Sequence, residues 1–424
     1  MNGEYKSRHD HARTGIGMNI LFIHQNFPGQ YRHTAKALAA DPANRVVALA
    51  MHRRDTIAGV QLILHTDKRP QTSLHPYLGQ YEKQIQNGLS VARAAQELRQ
   101  SGFTPDVICA HPGWGEALFI KSVYPEARLL CFQEFYYRTS GSDIGFDPEF
   151  MPKSRDYPFT TVLRNATINH SLSVADVNLC PTQWQKQQFP ALYHPHITVV
   201  HDGIDTDLVR PDPAACFVLT MPDGSMQLLT AQDEVVTFVS RNLEPYRGIH
   251  SFLRSLPDLL ARRPHAQVIV VGGDDVSYGT RLPDGQTYRQ HYLAEIVGKY
   301  DASRVHFIGR IPYQAYLTLL QISSAHIYLT YPFVLSWSML EAMSAGCTVI
   351  GSNTAPVQEV IRHGDNGLLV DFFSPADIVE KICTVLADPT RMASMRSRGR
   401  QTVIDSYDLH RICLPRQLEL VRRG

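Results

Sequence analysis

Short apolar runs separated by longer amphipathic ones set the rhythm of this chain. From residue 18 onward "NILFIH", "RVVALAM", "VQLILH", "DVICAH", "RLLCF", "VADVNLC" and "ITVVHDG" are brief and apolar, as strands covered on both faces are. Residues 81–98 repeat at helical spacing, with Ile85, Leu89, Ala92, Ala95 and Leu98 on one stripe that predicts a core-facing helix. "HDGIDTDLVRPDP" (201–213), rich in Asp, Gly and Pro, interrupts the pattern and marks a domain junction. "CFVLTMPDGSMQLLT" (216–230) reads as a hairpin around Pro222-Asp223-Gly224. The alternation then restarts with "EVVTFVSR", "AQVIVVGG", "SRVHFIG", "AHIYLT", "CTVIG" and "NGLLV". Two such series predict an α/β protein of two facing, doubly wound domains, whose ligands bind in the loops leaving the carboxyl ends of the strands.

At 424 residues the chain is too long for one ordinary core, which agrees with two domains. The expected division is a disordered extension over 1–17, a first domain over 18–205, a second over 206–400 and a helical tail over 401–424. Lys+Arg 41 against Asp+Glu 40 argues against bulk electrostatic binding of nucleic acid. The seven cysteines show no metal-ligand spacing, and Cys109, Cys131, Cys180 and Cys347 lie in or beside apolar runs. A reducing cytoplasm fits that usage, and a disulfide scaffold or zinc site does not. No apolar run approaches the roughly 18–20 residues that span a bilayer. The basic tail "RMASMRSRGR" reads first as a solvated helix face, ahead of a membrane or nucleic-acid patch. Asn165-Ala-Thr matches the glycosylation triplet, which a cytoplasmic chain does not use.

The strand-exit loops hold the candidate chemistry. After the first strand, "HQNFPGQYRHTAKAL" turns at Pro28-Gly29 and starts a helix near Gln30, where glycine lets backbone N–H groups approach a ligand. The plain alternative is a mere connection. "SRNLEPYRGIHSFLRSL" (240–256) places Arg241 and Arg247 beside a helix start at Gly248, a pocket suited to a diphosphate. Against this stands a pair of surface arginines pairing with Glu244 or the tail. In "YPFVLSWSMLEAMSAGCTVIGSN" (331–353), Ser336 is a plausible N-cap for a helix over 337–345. Glu341 lies about one turn inside it, within reach of a ribose diol, for which a carboxylate is a good double acceptor. A lone exposed helix glutamate is the bland alternative.

The ordered run "DGIDTDLVRP", "VSRNLEPYRGI", "VGGDD", "RVHFIGRIPYQAYLTLL", "LEAMSAGCTVIGSNTAPVQEVIRHGDNGLLV" and "SPADIVEKI" resembles the donor-binding domain of family 4 (group 1) retaining glycosyltransferases. First-half "ILFIHQNFPGQYRHTAKALA" and "LRNATINHSL…CPTQWQKQQFP" are similar to a bacterial subgroup with an "HQNFPGQ" loop, so the likeness covers residues 18 to about 420. The resemblance implies a GT-B fold, with two facing Rossmann-like domains and a C-terminal helix returning to the first. It implies transfer of a sugar from a nucleotide-diphosphate donor with retention and without a required metal or cofactor. By the same resemblance Arg241 is the phosphate arginine and Arg247 stands where lysine is usual. Glu341 is the ribose ligand, Arg310 and Ile311 (with Gly309) form the base-binding turn, and Gly29 belongs to the loop closing over the diphosphate. Phe333 occupies the donor-sugar glutamate position, so that Phe333 to Ser336, through Val334 and Leu335, border the sugar by side chain or backbone; the bland alternative is that Phe333 points into the domain core and a neighbouring residue serves the sugar. A histidine usually follows the strand that here reads "RLLCFQEFYYR". This chain offers Gln133 and Glu134, with His111 of "CAHPGWGE" the alternative polar group on the neighbouring strand end.

The resulting expectation is a nucleotide-sugar-dependent transferase, cytoplasmic or at the inner face of the plasma membrane. Its acceptor would be saccharide, lipid-linked or another glycan, in cell-surface polysaccharide, lipopolysaccharide or glycoconjugate synthesis. Peripheral membrane contact is compatible with this, nucleic acid is not a partner, and oligomeric state is open. The rivals are a catalytically inactive nucleotide-sugar-binding subunit, which Phe333 favours, and an epimerase or phosphorylase of the same fold. An epimerase needs acid/base groups near the sugar, and a phosphorylase needs a second phosphate site or a cofactor lysine.

Overall fold

The computed structural model describes residues 17–66, 75–152, 154–221 and 223–423. The expected N-terminal extension lies outside the described residues but for Gly17, as does Pro222 of the expected hairpin turn. Two compact units emerge. The first takes its described residues from Met1–Gln133, Ala166–Leu179 and Leu418–Gly424, the second from Glu134–Asn165 and Cys180–Gln417.

The apolar runs of the first half become strands β1 (Asn19–Ile23), β2 (Arg45–Ala50), β3 (Val60–Leu64), β4 (Val107–Ala110), β5 (Arg128–Phe132) and β6 (Val177–Cys180). They lie in the order β3-β2-β1-β4-β5-β6 and pair in parallel, so the sheet grows outward on both sides of its first strand. Leu21, Ile23, Leu49, Ile108, Leu129 and Cys131 fill one core with Val91, Ala95 and Leu98 of the helix Gly79–Gln100. That helix is rotated from the expected stripe. It buries Gln84, Asn87, Gly88 and Val91, while Ile85, Leu89 and Ala92 are half-buried. Asn87 turns inward where the loop after β4 gives it a partner. Asn87 Nδ2 donates to the Trp114 carbonyl (2.9 Å), and a Cβ on Gly88 would stand 2.8 Å from the Gly115 carbonyl oxygen.

The second unit holds β7 (Ile197–Val199), the antiparallel hairpin β8 (Cys216–Thr220) and β9 (Met226–Thr230), and then β10 (Val235–Asn242), β11 (Gln267–Gly273), β12 (Val305–Gly309), β13 (Ala325–Tyr328), β14 (Thr348–Ser352) and β15 (Leu368–Val370). The last six form a parallel sheet in the order β12-β11-β10-β13-β14-β15, again winding both ways from the first strand of its series. This is the expected doubly wound α/β architecture, present twice.

The units divide the chain elsewhere than at the expected junction of 205 and 206. Residues 134–165 follow β5, yet they pack with the second unit. Asp143 and Asp147 are buried there and find their donors in Tyr246 and Tyr331 of the second half. The tail divides too. Residues from Leu418 belong to the first unit, where Arg128 Nη1 donates to the carbonyls of Leu420 (2.7 Å) and Val421 (3.3 Å). All seven cysteines are free thiols, and no helix among the described residues is long and apolar enough to cross a membrane. Asn165 of the glycosylation triplet is buried, exchanging two hydrogen bonds with the Tyr137 backbone (3.0 and 2.7 Å).

Candidate functional site

The loop leaving β10 is built around Glu244 and Arg247. The Glu244 carboxylate is buried and accepts the backbone N–H groups of Ser277 (3.0 Å), Tyr278 (3.1 Å) and Gly279 (3.0 Å), which fastens the loop after β11 beneath it. Three amide donors satisfy that anion, so it does not serve as the surface partner of the arginines. Pro245–Arg247 makes a single 3-10 turn, and Gly248 follows at φ +69°. A side chain there would be strained by that φ and would meet Leu329, so only glycine can open the helix Ile249–Arg262. Arg247 is 8% exposed, and its Nη1 donates to Thr330 Oγ1 (2.8 Å), the Val334 carbonyl (3.1 Å) and the Tyr328 hydroxyl (3.4 Å). Burial alone would lower its pKa, but Tyr328, Tyr278 and Glu244 outweigh burial and hold the guanidinium charge more firmly than usual. Arg241, by contrast, is exposed and makes no ion pair among the described residues.

The loop leaving β13 is locked to this turn. Tyr331 N–H donates to the Tyr246 carbonyl (3.0 Å), and the two rings stack at 4.7 Å. The Phe333 ring packs in the core, the second of the two places expected for it. It is 4% exposed, with the rings of Phe135 (4.6 Å), Tyr278 (4.9 Å) and Tyr246 (5.4 Å) around it. A large ring offered that much aromatic surface gains more by packing than by facing polar hydroxyls. Leu335 is likewise buried in a core cluster. Val334 contributes its carbonyl to Arg247, and Ser336 caps the helix Trp337–Ala345 as expected, its Oγ accepting from Ser338 N–H (3.3 Å) and its own N–H donating to Tyr328 (2.7 Å).

Glu341 lies on that helix and is 9% exposed. Tyr313 donates to one of its oxygens (2.7 Å) and Tyr316 to the other (2.8 Å), both from the helix Tyr313–Ile322. Burial raises the carboxyl's pKa and the two phenols pull it partly back. Arg310 stands where β12 ends, its Nη2 on Asn242 Oδ1 (2.8 Å), after Gly309 at φ +67°. Ile311 is partly buried against the neighbouring clusters. In "GGDD" Asp274 pairs with Arg289 and Asp275 with Arg281, each at 2.6 Å.

Glu134 also falls in the second unit. Its charge acts on Asp202, whose carboxyl burial pushes up to about 7. Asp202 Oδ2 accepts the Trp337 indole N–H (2.7 Å) at the first turn of the Glu341 helix. Sequence reasoning missed Asp202 and the network of Asp143, Asp147 and His250. Tyr246 donates to Asp143 (2.9 Å), Tyr331 donates to Asp147 (2.6 Å), and His250 Nε2 lies 3.0 Å from Asp147. Each partner is distant in sequence, so no local signal existed. Tyr313 and Tyr316 were missed as well, although their i, i+3 spacing does place both on one helix face.

The first unit holds Gly29 and His111. Gly29 has φ +48°, and a Cβ there would stand 2.5 Å from the His24 imidazole, around which the loop wraps. Asn26 N–H donates to His24 Nδ1 (3.0 Å), and His24 Nε2 pairs with Gln30 Oε1 (2.8 Å). The expected helix start near Gln30 is a 3-10 turn, Gly29–Tyr31, leading into the helix Arg32–Ala39. His111 is buried, stacked on Trp114 at 4.4 Å and edge-on to His24 at 5.1 Å. Gln133 points inward, donating to Ser171 (3.1 Å) and Asn178 (2.7 Å), a structural role. The structure thus gathers Arg247, Val334, Ser336 and Tyr328 in one hydrogen-bonded group and adds Glu134 near the Trp337–Ala345 helix. Phe333 and Leu335 go to the core, Arg241 to the surface, and Gly29 and His111 to the other unit.

Comparison with known proteins agrees. Residues 42–209 match the model of the glycosyl transferase family 4 group, and residues 225–402 match that of the glycosyl transferases group 1. A GDP-mannose-dependent alpha-(1-6)-phosphatidylinositol monomannoside mannosyltransferase of Mycobacterium tuberculosis is 26% identical over 306 residues, 68% of this chain and 70% of that protein. A D-inositol 3-phosphate glycosyltransferase of Rhodococcus jostii is 30% identical over 208 residues, 48% of this chain and 42% of its own length. Among solved structures, Anabaena HepE with UDP and glucose superposes at a TM-score of 0.66 and 17% identity, over 95% of this chain and 99% of that one. The sucrose-phosphate synthase of Thermosynechococcus elongatus does so at 0.68 and 16%, over 95% and 98%. Two matched segments in series, on two doubly wound sheets, establish that this chain belongs to the group 1 glycosyltransferases of GT-B fold.

Proposed function

We propose that this glycosyltransferase moves a sugar from a nucleoside-diphosphate donor to a saccharide or lipid-linked acceptor, with retention at the anomeric carbon. The observation that carries this is the joining of Arg247 to the backbone of the Val334–Ser336 loop, which leads directly into the helix bearing Glu341. A fixed guanidinium and a double-acceptor carboxylate are the two groups a nucleoside diphosphate needs, one for its phosphates and one for its ribose. Arg310 and Ile311, where β12 ends, would border the base, and Val334 and Ser336 would meet the sugar through backbone groups.

The step breaks the bond between the anomeric carbon and the diphosphate oxygen and forms one to the acceptor oxygen on the same face. The acceptor's proton passes to the departing phosphate oxygen, so no strong protein base is required. Arg247 stabilises the charge that grows on the diphosphate, with Arg241 adding to the local potential. Glu134, whose charge acts on Asp202, would offer the sugar or the acceptor a hydrogen bond. Metal independence is part of this reading, supported by the arginine pairing of Asp274 and Asp275.

The relatives' names give the first substrates to try, GDP-mannose with an inositol-phosphate or phosphatidylinositol acceptor, in the setting of bacterial cell-surface glycoconjugate synthesis. Release of free nucleotide is to be measured over a panel of GDP-, UDP- and ADP-sugars, with and without bacterial lipid extract and with excess EDTA. Acceptor-dependent release that survives EDTA is expected, with the product's anomeric configuration matching the donor's by NMR. Binding of the donor without turnover on any acceptor would instead favour an inactive subunit.

A further inference from the structure

Glu341 is supported in an unusual way for a nine-tenths-buried carboxylate. No arginine or lysine pairs with it among the described residues. Its two oxygens each accept one phenol instead, Tyr313 at 2.7 Å and Tyr316 at 2.8 Å. An arginine fork would neutralise the acid and occupy it bidentately, leaving little for a ligand. Two neutral donors leave the charge in place and use one acceptor direction on each oxygen out of about two. What remains is one acceptor position per oxygen, side by side on a rigid helix, and that matches two neighbouring hydroxyl donors.

We infer that Tyr313 and Tyr316 are positioning residues that aim Glu341 at the cis-diol of a ribose, and that this pair makes the site select ribonucleotides over deoxyribonucleotides. The inference rests on Glu341 being the ribose ligand of the proposed reaction. Tyr316 is buried and its pKa is held well above the usual phenol range, by burial first and then by Glu341, so it stays a donor. Tyr313 is 50% exposed, so the Glu341 oxygen that it bonds lies toward the surface side of the pair. The titratable groups acting on Glu341 are these two phenols of the adjacent helix. Burial drives its pKa up and the phenols oppose the rise. Without them burial acts unopposed, and the carboxyl takes up a proton at higher pH.

The test is equilibrium binding of GDP and UDP, each with its 2′-deoxy and 3′-deoxy counterparts, between pH 5 and 8. The proteins are the full chain, Tyr313→Phe, Tyr316→Phe, the double variant and Glu341→Gln. The ratio of ribo to deoxy affinity cancels the titration of the phosphates common to both ligands. In the double variant that ratio should fall on the order of tenfold, with a smaller loss for the deoxy ligands, each of which keeps one hydroxyl on Glu341, as expected for losing charge-assisted hydrogen bonds. The pH below which the ribo preference disappears should move upward in both single variants. Tyr313→Phe alters a half-exposed ring by one oxygen, which keeps the test open even where Tyr316→Phe folds poorly. Loss of preference in Glu341→Gln with an unchanged ratio and pH profile in the phenylalanine variants overturns the tyrosine role alone. An unchanged ratio in Glu341→Gln overturns the ribose assignment, and this inference falls with it.

Discussion

The first strand of each sheet ends in the same kind of turn, and the two turns hold opposite contents. Gly29 after β1 and Gly248 after β10 both take a left-handed φ, +48° and +69°, and both press against a side chain that leaves no room for a Cβ. In the first unit that neighbour is His24, which meets the stacked His111 and Trp114 rings edge-on. In the second it is Leu329, beside Arg247, whose charge is fixed by three hydrogen bonds. One backbone device therefore serves twice, and the residues around it decide its chemistry. A permanent cation in the second unit suits a diphosphate, whereas imidazoles, which donate or accept according to tautomer, suit hydroxyl groups.

Two buried acids, Glu116 in the first unit and Asp147 in the second, are treated differently, and this yields the largest expected effect. Glu116, behind the His111–Trp114 turn, is fully buried, and among the described residues no donor reaches either carboxyl oxygen with hydrogen-bonding geometry. Burial pushes it up to about 8 from 4.5, against a weaker pull from the Glu116 and Trp114 amides. In the second unit burial would also raise Asp147, but His250, Tyr331 and the Glu149 amide outweigh it and hold the carboxyl below its ordinary range. The signs oppose. Glu116 binds its proton more tightly when folded, so it withdraws stability as pH climbs from 4.5 to about 8. Asp147 contributes stability above its unfolded pKa and loses it as pH falls through its lower folded value. Glu116→Gln should stabilise the protein at pH 9 by an amount bounded at about 4–5 kcal/mol, and change little at pH 4. Calorimetry across that range, with hydrogen exchange in β4 reporting the first unit, checks it.

Phe333→Ala should cost about 3–5 kcal/mol of stability by leaving a cavity among Phe135, Tyr246 and Tyr278, with donor preference unchanged. Denaturant titration gives the stability and a donor panel the preference. A shifted preference in a well-folded variant would return Phe333 to the sugar site.

Arg247→Ala should lower kcat by roughly 100-fold or more, about 3 kcal/mol, and affinity for a bare nucleoside far less. Arg247→Lys should recover only part of that, because one ammonium cannot reproduce the contacts to Thr330, Val334 and Tyr328. Steady-state kinetics of both variants separate charge from geometry. Arg241→Ala is expected to have the smallest effect, under about tenfold in kcat/KM, since an exposed guanidinium acts through a screened field. A loss equal to that of Arg247→Ala would show that Arg241 reaches the diphosphate directly.

Apolar runs and turn residues sufficed to locate the strands, the hairpin and the Ser336 cap, because backbone preference and strand burial are local properties. The order of the two αβ series was legible for the same reason, and Glu341 stood out as an acid in an otherwise apolar helix. Only the tertiary structure assigned residues 134–165 to the second unit, rotated the Gly79–Gln100 helix to bury Gln84 and Asn87, and turned Phe333 into the core. It alone gave Glu341 its two tyrosines and Asp147 its Tyr331. These depend on which buried polar group or ring finds a partner, and the partners of Glu341 and Asp147 named here lie between 25 and 184 residues away. Local periodicity carries no record of that choice, since it is made by packing and by the cost of leaving a buried donor or acceptor unpaired.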